Sequence, residues 1–186
     1  GSVPLYLLTT DLPENDHLSR TITDQLYDSN DETRISQSIV LGVGGAKIVE
    51  MLGGADIYHL NEGHALPAFY YLRDRGVAQS QMVFTTHTPE KGGNEERNGY
   101  HLNNRGFFGR ELTPPELQQE LIGGDTLNYT VSALRHSKKA NAVSKLSAKG
   151  LDLIAANQVG DREGGFDSDR NALSLFWKGG GQELEM

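Results

Sequence analysis

An α/β fold, a three-layer sandwich of helices around a mainly parallel sheet, is what the sequence predicts, and three observations carry that expectation. Short strand-forming runs such as Met82-Val83-Phe84-Thr85-Thr86 alternate with stretches whose apolar residues recur every three or four positions. Capping residues open those stretches and glycines close them. With 186 residues, 37% of them hydrophobic, the chain has enough apolar material to bury the core of one domain.

Taken in order, residues 3–8 form an apolar run that predicts a buried strand. Polar residues then dominate, with Pro13 and Asn15 as turn formers. From Asp31 the spacing of Ile35, Ile39, Val43, Ala46 and Val49 predicts a helix, capped by Asn30 or Asp31 and stopped by Gly53-Gly54. Residues 56–60 predict a strand, followed by a helix bearing Ala65, Ala68, Phe69 and Leu72. Residues 82–86 are the next strand, and 91–110 read as a long Gly/Asn-rich loop. Thr113-Pro114-Pro115-Glu116 places Thr at the N-cap, Pro at N1 and Glu at N3, a capping box for a short helix. A further helix starts near Thr126, with Leu127, Val131 and Leu134 on one face. Residues 151–156 and 173–177 predict strands, and Gly179-Gly180-Gly181 turns a C-terminal hairpin into residues 183–186. Strands and helices alternating at this spacing imply βαβ units and a Rossmann-like sheet.

Composition narrows the partners. The net charge of −8 argues against nucleic acid, whose phosphates need a basic footprint. No apolar run approaches the roughly 20 residues of a membrane span. The absence of cysteine excludes disulfides and thiolate metal sites and fits a cytoplasmic location. Gly1-Ser2 reads as a tag remnant. A neutral, hydroxyl-rich ligand is compatible with all of this.

Specific motifs then carry a resemblance. Pro4-Leu5-Tyr6-Leu7-Leu8, Arg20-Thr21-Ile22-Thr23-Asp24, Arg34-Ile35-Ser36-Gln37, Tyr58-His59-Leu60-Asn61-Glu62-Gly63-His64 and Phe84-Thr85-Thr86-His87-Thr88-Pro89 follow one another at natural spacing. Over about 3–146 this pattern resembles the α-glucan phosphorylases in their shorter bacterial and archaeal form. The resemblance implies transfer of glucose units between α-1,4-glucans and phosphate with pyridoxal phosphate. It implies that His87 contacts the glucosyl unit and that Asn61, Glu62 and His64 line the glucan side of the cleft. It also implies that the cofactor's lysine belongs to another domain and the glycine-rich phosphate-side segment lies upstream of residue 3, so no cofactor and no catalytic residue is expected here. Independently, sugar recognition needs donors and acceptors converging at the carboxyl ends of parallel strands, where Asn61, Glu62, His64 and His87 fall.

A second resemblance begins at about residue 147. Lys149-Gly150-Leu151-Asp152-Leu153-Ile154-Ala155-Ala156-Asn157, Gly165-Phe166-Asp167-Ser168-Asp169 and Asn171-Ala172-Leu173-Ser174-Leu175-Phe176-Trp177 resemble the end of phosphopantothenate–cysteine ligase. There the corresponding strand and acidic loop border the CTP site, which makes Asn157, Phe166 and Asp169 the implied nucleotide-side residues. The chain thus reads as 3–146 phosphorylase-like and 147–186 ligase-like, the second part completing the same domain.

The join makes a structural demand. A strand ending at Leu146 with a parallel neighbour starting at Leu151 leaves four residues for a crossover that needs about a dozen. A helix over 126–149 closed by Gly150 removes the conflict and is the expectation, with an antiparallel hairpin as the alternative.

Blander readings take several other features. Gly42-Val43-Gly44-Gly45 lacks a preceding strand and a Gly-Lys-Ser/Thr ending, so close helix packing is expected rather than a phosphate loop. His59 and His64 lack metalloprotease spacing. Asp161, Glu163, Asp167 and Asp169 do not match a calcium loop, and a solvated loop is expected. Glu62 is not expected to act as general acid or base, because in the resembled family phosphate does that work. The leading functional reading is a non-catalytic chimeric or designed α/β domain of phosphorylase descent. The alternatives are a weak α-1,4-glucan-binding module or residual phosphorylase, and a CTP-binding remnant. Homodimerisation through exposed edges is a further expectation.

Overall fold

The computed structural model describes residues 3–26, 28–87, 95–121, 124–142, 153–157, 172–177 and 180–185. In chain order the elements are α1 (His17–Arg20), α2 (Asp31–Ile39), α3 (Gly45–Met51), β1 (Tyr58–Asn61), α4 (Pro67–Asp74), β2 (Met82–Thr86), β3 (Glu96–Asn98) and α5 (Gly99–Asn104). They continue with α6 (Pro114–Glu120), β4 (Thr126–Asn128), α7 (Tyr129–His136), β5 (Lys139–Ala142), β6 (Leu153–Asn157), β7 (Ala172–Trp177) and β8 (Gly180–Glu185).

β1, β2 and β5 form a parallel sheet in that order, with Leu60 opposite Phe84 and Phe84 opposite Ala140. Two consecutive parallel pairings require crossovers, and α4 and α7 lie within them. The fold is therefore α/β with a parallel sheet. β3 and β4 pair antiparallel, and β6, β7 and β8 form a separate antiparallel sheet.

The apolar layer explains why these elements stay together. Phe69, Tyr70, Phe84, Leu102, Phe107 and Phe108 are fully buried. Tyr70 meets Phe108 edge-on at 4.7 Å between ring centres, and Phe107 meets Tyr129 at 4.9 Å. Such pairs add roughly 0.5–1.5 kcal/mol beyond their area.

Asn30 caps α2, its side chain accepting from the Glu32 and Thr33 amides, and Gly53 and Gly54 take positive φ just after α3. Between α2 and α3 the helix widens into a π turn over Val40–Gly44. Gly42 lies in that turn, and a Cβ there would stand 2.8 Å from the Ala68 nitrogen and 2.9 Å from the Pro67 Cβ. Close packing against α4 is what this glycine does, as its setting in the sequence implies.

Several expectations need correction. Residues 3–8 form no strand; Val3, Leu5 and Leu7 are 89%, 81% and 84% exposed. An isolated run cannot hydrogen-bond itself, and no described strand lies beside it. The 91–110 loop contains β3 and α5 in its described part, because Leu102, Phe107 and Phe108 are core residues. The helix over 126–149 is also wrong: β4 comes first, α7 ends at His136, and β5 follows. Ser137 turns extended, and the Lys138 amide donates to the Met82 carbonyl of β2, so pairing with the sheet overrides helical continuation. The fully buried residues of α7 are Tyr129, Ser132 and Ala133, while Leu134 packs partly buried against the core.

The crossover problem at the join is met differently. β6 pairs antiparallel with β7 and is not a parallel neighbour of β5 among the described residues. The C-terminal strands appear close to where the sequence places them. β8 nevertheless starts at Gly180, opposite Trp177, so Gly180 and Gly181 are strand residues rather than turn residues. Residues 143–150 lie outside the described residues.

Candidate functional site

β1 and β2 are adjacent and parallel, so their carboxyl ends deliver Asn61 and His87 to one edge of the sheet. The His87 Nε2 and Asn61 Oδ1 are 2.8 Å apart. The amide oxygen can only accept, which places the imidazole proton on Nε2. Asn61 is exposed, and no described residue accepts from its amide nitrogen, leaving two donors directed to solvent.

Glu62 fastens this edge from below. It has φ 65°, the left-handed region, and is the one non-glycine among the described residues that adopts it. Its amide donates to the Thr85 carbonyl at 2.8 Å, continuing the β1–β2 ladder. Its carboxylate then turns across the strand end. Oε1 accepts from the His87 amide at 2.5 Å, and Oε2 accepts from the Thr86 hydroxyl at 3.1 Å. A carboxylate engaged on both oxygens is a clasp on the strand end. His59 Nε2 lies 2.7 Å from the Thr85 hydroxyl, where it belongs to the sheet rather than to a metal site. Among the described residues no group of three or more His, Cys, Asp or Glu side chains is placed to hold a metal.

His64 stands apart from these three. The turn over Gly63–Ala65 carries it toward α2, where it borders a cleft of about 380 Å³ with Arg34, Gln37, Ser38 and residues 6–8. Its Nδ1 lies 3.8 Å from the Glu95 carboxylate, which pairs with Arg34. Burial lowers the His64 pKa and the Arg34 charge lowers it further, against an opposing pull from Glu62. His64 is therefore held toward its neutral form. Gly63 permits the turn: a Cβ there would come within 2.9 Å of the Tyr129 Cβ.

The implied cofactor does not fit this group. Asn61, Glu62, Thr85, Thr86 and His87 include no lysine to form an imine and no arginine to hold a phosphate. On the nucleotide side, Asn157 ends β6, whereas Phe166 and Asp169 lie outside the described residues, as do Asp161, Glu163 and Asp167.

A second polar cluster went unseen in the sequence. The buried Tyr70 hydroxyl bonds Ser132 at 2.5 Å and Glu120 at 3.3 Å, and Glu120 also takes Arg73 at 2.7 Å and His136 at 2.9 Å. These residues are spread over three helices, and only the i, i+4 spacing of Ser132 and His136 could have hinted at the cluster.

Comparison with known proteins finds two kinds of relative. A maltodextrin phosphorylase of Thermococcus litoralis is 38% identical over 165 residues, covering 80% of this chain and 20% of the relative. Most of the chain resembles an α-glucan phosphorylase. An uncharacterised protein of Methanocaldococcus jannaschii is 47% identical over 78% of the chain and 28% of its own length. The phosphorylase-like chain therefore spans between a fifth and under a third of these relatives. The family described as DNA/pantothenate metabolism flavoprotein C-terminal domain matches residues 127–186. The coenzyme A biosynthesis bifunctional protein CoaBC of Vibrio cholerae is 51% identical over 45 residues, 24% of the chain and 11% of the relative. Both resemblances read from the sequence are thus found. The family match starts at residue 127, inside the stretch read as phosphorylase-like. No solved structure matches the chain. No helix among the described residues is long and apolar enough to cross a membrane.

Proposed function

We propose that this chain is a non-catalytic α/β domain of α-glucan phosphorylase descent whose Asn61–His87 edge retains weak affinity for α-1,4-glucan. The observation that carries the reading is the 2.8 Å Asn61–His87 pair, set at the ends of adjacent parallel strands and fixed by the Glu62 clasp. Ligands of open parallel sheets bind beyond the carboxyl ends of the strands, and sugar hydroxyls pair well with amide donors and imidazole. Affinity is weak because among the described residues the edge supplies few polar groups, and each hydrogen bond exchanged with water is worth only about 0.5–1.5 kcal/mol. The donor set offers no group to form an imine and no cation for phosphate, which supports recognition without turnover. The cysteine-free composition suits a reducing cytosol.

Calorimetric titration with maltoheptaose is the test. Millimolar binding is expected, with its heat lost in His87→Ala and in Asn61→Ala while circular dichroism stays unchanged. No heat at millimolar sugar, or binding unaltered in both variants, removes the glucan reading. Phosphate and pyridoxal phosphate added to the mixture are expected to release no phosphorylated sugar. The C-terminal match to a pantothenate-metabolism domain favours a narrower second reading, a CTP-binding remnant around Asn157, and a CTP titration of the same sample decides it.

A further inference from the structure

We infer that residues 3–8, a strand-forming run with no sheet to join, add in solution to the open edge of β1 in a second copy of this chain, giving a reciprocal dimer. Between Val3 and Leu8 no backbone group makes a hydrogen bond within the described residues. Val3, Leu5, Tyr6 and Leu7 are 89%, 81%, 54% and 84% exposed, an apolar surface that water solvates poorly. β1 has the complementary lack. It pairs with β2 on one side, and no described strand lies on the other. An unpaired strand and an unpaired edge on one molecule are each a template for pairing between molecules.

The sequence of the segment selects a register face. Backbone groups of alternate residues point to opposite sides of a strand, and proline has no N–H to give. Pro4 must then face outward, together with Tyr6 and Leu8. Val3, Leu5 and Leu7 are left to bond β1, and each of them is more exposed than Tyr6. Their side chains share one face of the extended sheet.

A second copy is favoured over the molecule's own edge because the segment is tethered elsewhere. The Thr10 amide donates to the Thr23 hydroxyl at 3.2 Å, Asp11 pairs with Arg20 at 2.6 Å, and Leu8 lies against the π turn at Gly44. Two copies exchanging segments satisfy both edges and close the assembly as a twofold dimer.

Light scattering on the purified chain over a hundredfold concentration range tests this. A dimer is expected for the parent. Leu5→Asp/Leu7→Asp should be monomeric, and so should Leu5→Pro/Leu7→Pro, which keeps the apolar character but deletes two of the ladder donors. Neither pair of substitutions removes a core contact, and unchanged thermal melting of a monomeric variant establishes that it is folded. A parent that stays monomeric at the highest concentration, a dimer that persists in Leu5→Pro/Leu7→Pro, or open-ended polymers in place of a dimer would overturn the inference.

Discussion

Glu62 concentrates most of the chemistry at the scale of single residues. A left-handed φ at a non-glycine position costs of order 1 kcal/mol or more and persists only where surrounding contacts compel it. Here those contacts are the Thr85 carbonyl, the Thr86 hydroxyl and the His87 amide. Glu62→Ala keeps the strain and removes two charge-assisted bonds from a half-buried group, so about 1–2 kcal/mol of stability should be lost. Thermal unfolding of the variant should fall by several degrees, and an unchanged midpoint would show that the carboxylate does not fasten the edge. The placement of Asn61, Glu62 and His87 at strand ends was legible in the sequence, because each ends or follows a strongly strand-forming run. His64 was only half legible. Its distance from a strand end is short, but a three-residue turn redirects its side chain toward α2, and turn geometry of that kind depends on Gly63 meeting Tyr129, far away in sequence.

At the scale of elements, periodicity located helices better than it ended them. Asn30, Gly53 and Thr113 act where capping chemistry places them, and Thr113 and Glu116 complete the reciprocal capping box. α7 ends without such a signal. Ser137-Lys138-Lys139 contains neither glycine nor proline, and the apolar spacing runs on to Leu146, so local information favours a longer helix. What stops it is the bond from Lys138 to Met82 and the pairing of β5 with β2, a tertiary choice invisible to a window of residues. The N-terminal run fails in the opposite sense. Its strand propensity is plain, but propensity does not supply a neighbour. The widening of the α2–α3 helix at Val40–Gly44 is likewise set by contact, since Gly42 sits against the backbone that opens α4.

At the scale of the whole molecule, Glu120 ties three helices together, joining α4, α6 and α7 through Arg73, His136 and the Tyr70–Ser132 pair. Burial by itself would raise this carboxyl's pKa, but the hydrogen bond and charge of His136, reinforced by Arg73, outweigh it and hold the value at about 2. A folded value below the unfolded one of about 4.5 means that the unfolded chain takes up the proton first. The stabilisation is complete above about pH 4.5 and is lost as pH falls toward 2. Glu116 titrates in the same window because Arg110 and Thr113 hold it to about 2 as well. The difference between the parent and Glu120→Gln therefore isolates Glu120. Urea unfolding at pH 7, 4 and 3 should show a gap between them that narrows as the medium acidifies, and a gap independent of pH would refute the ionic account.

The parallel sheet brings Asn61 and His87 to one edge, and the proposal is that this edge holds a sugar. Backbone amide spectra recorded during a maltoheptaose titration test that directly. Saturable shifts concentrated at residues 61–64 and 85–87 are expected at millimolar sugar. Shifts absent there, or saturable shifts confined to other parts of the chain, would contradict it.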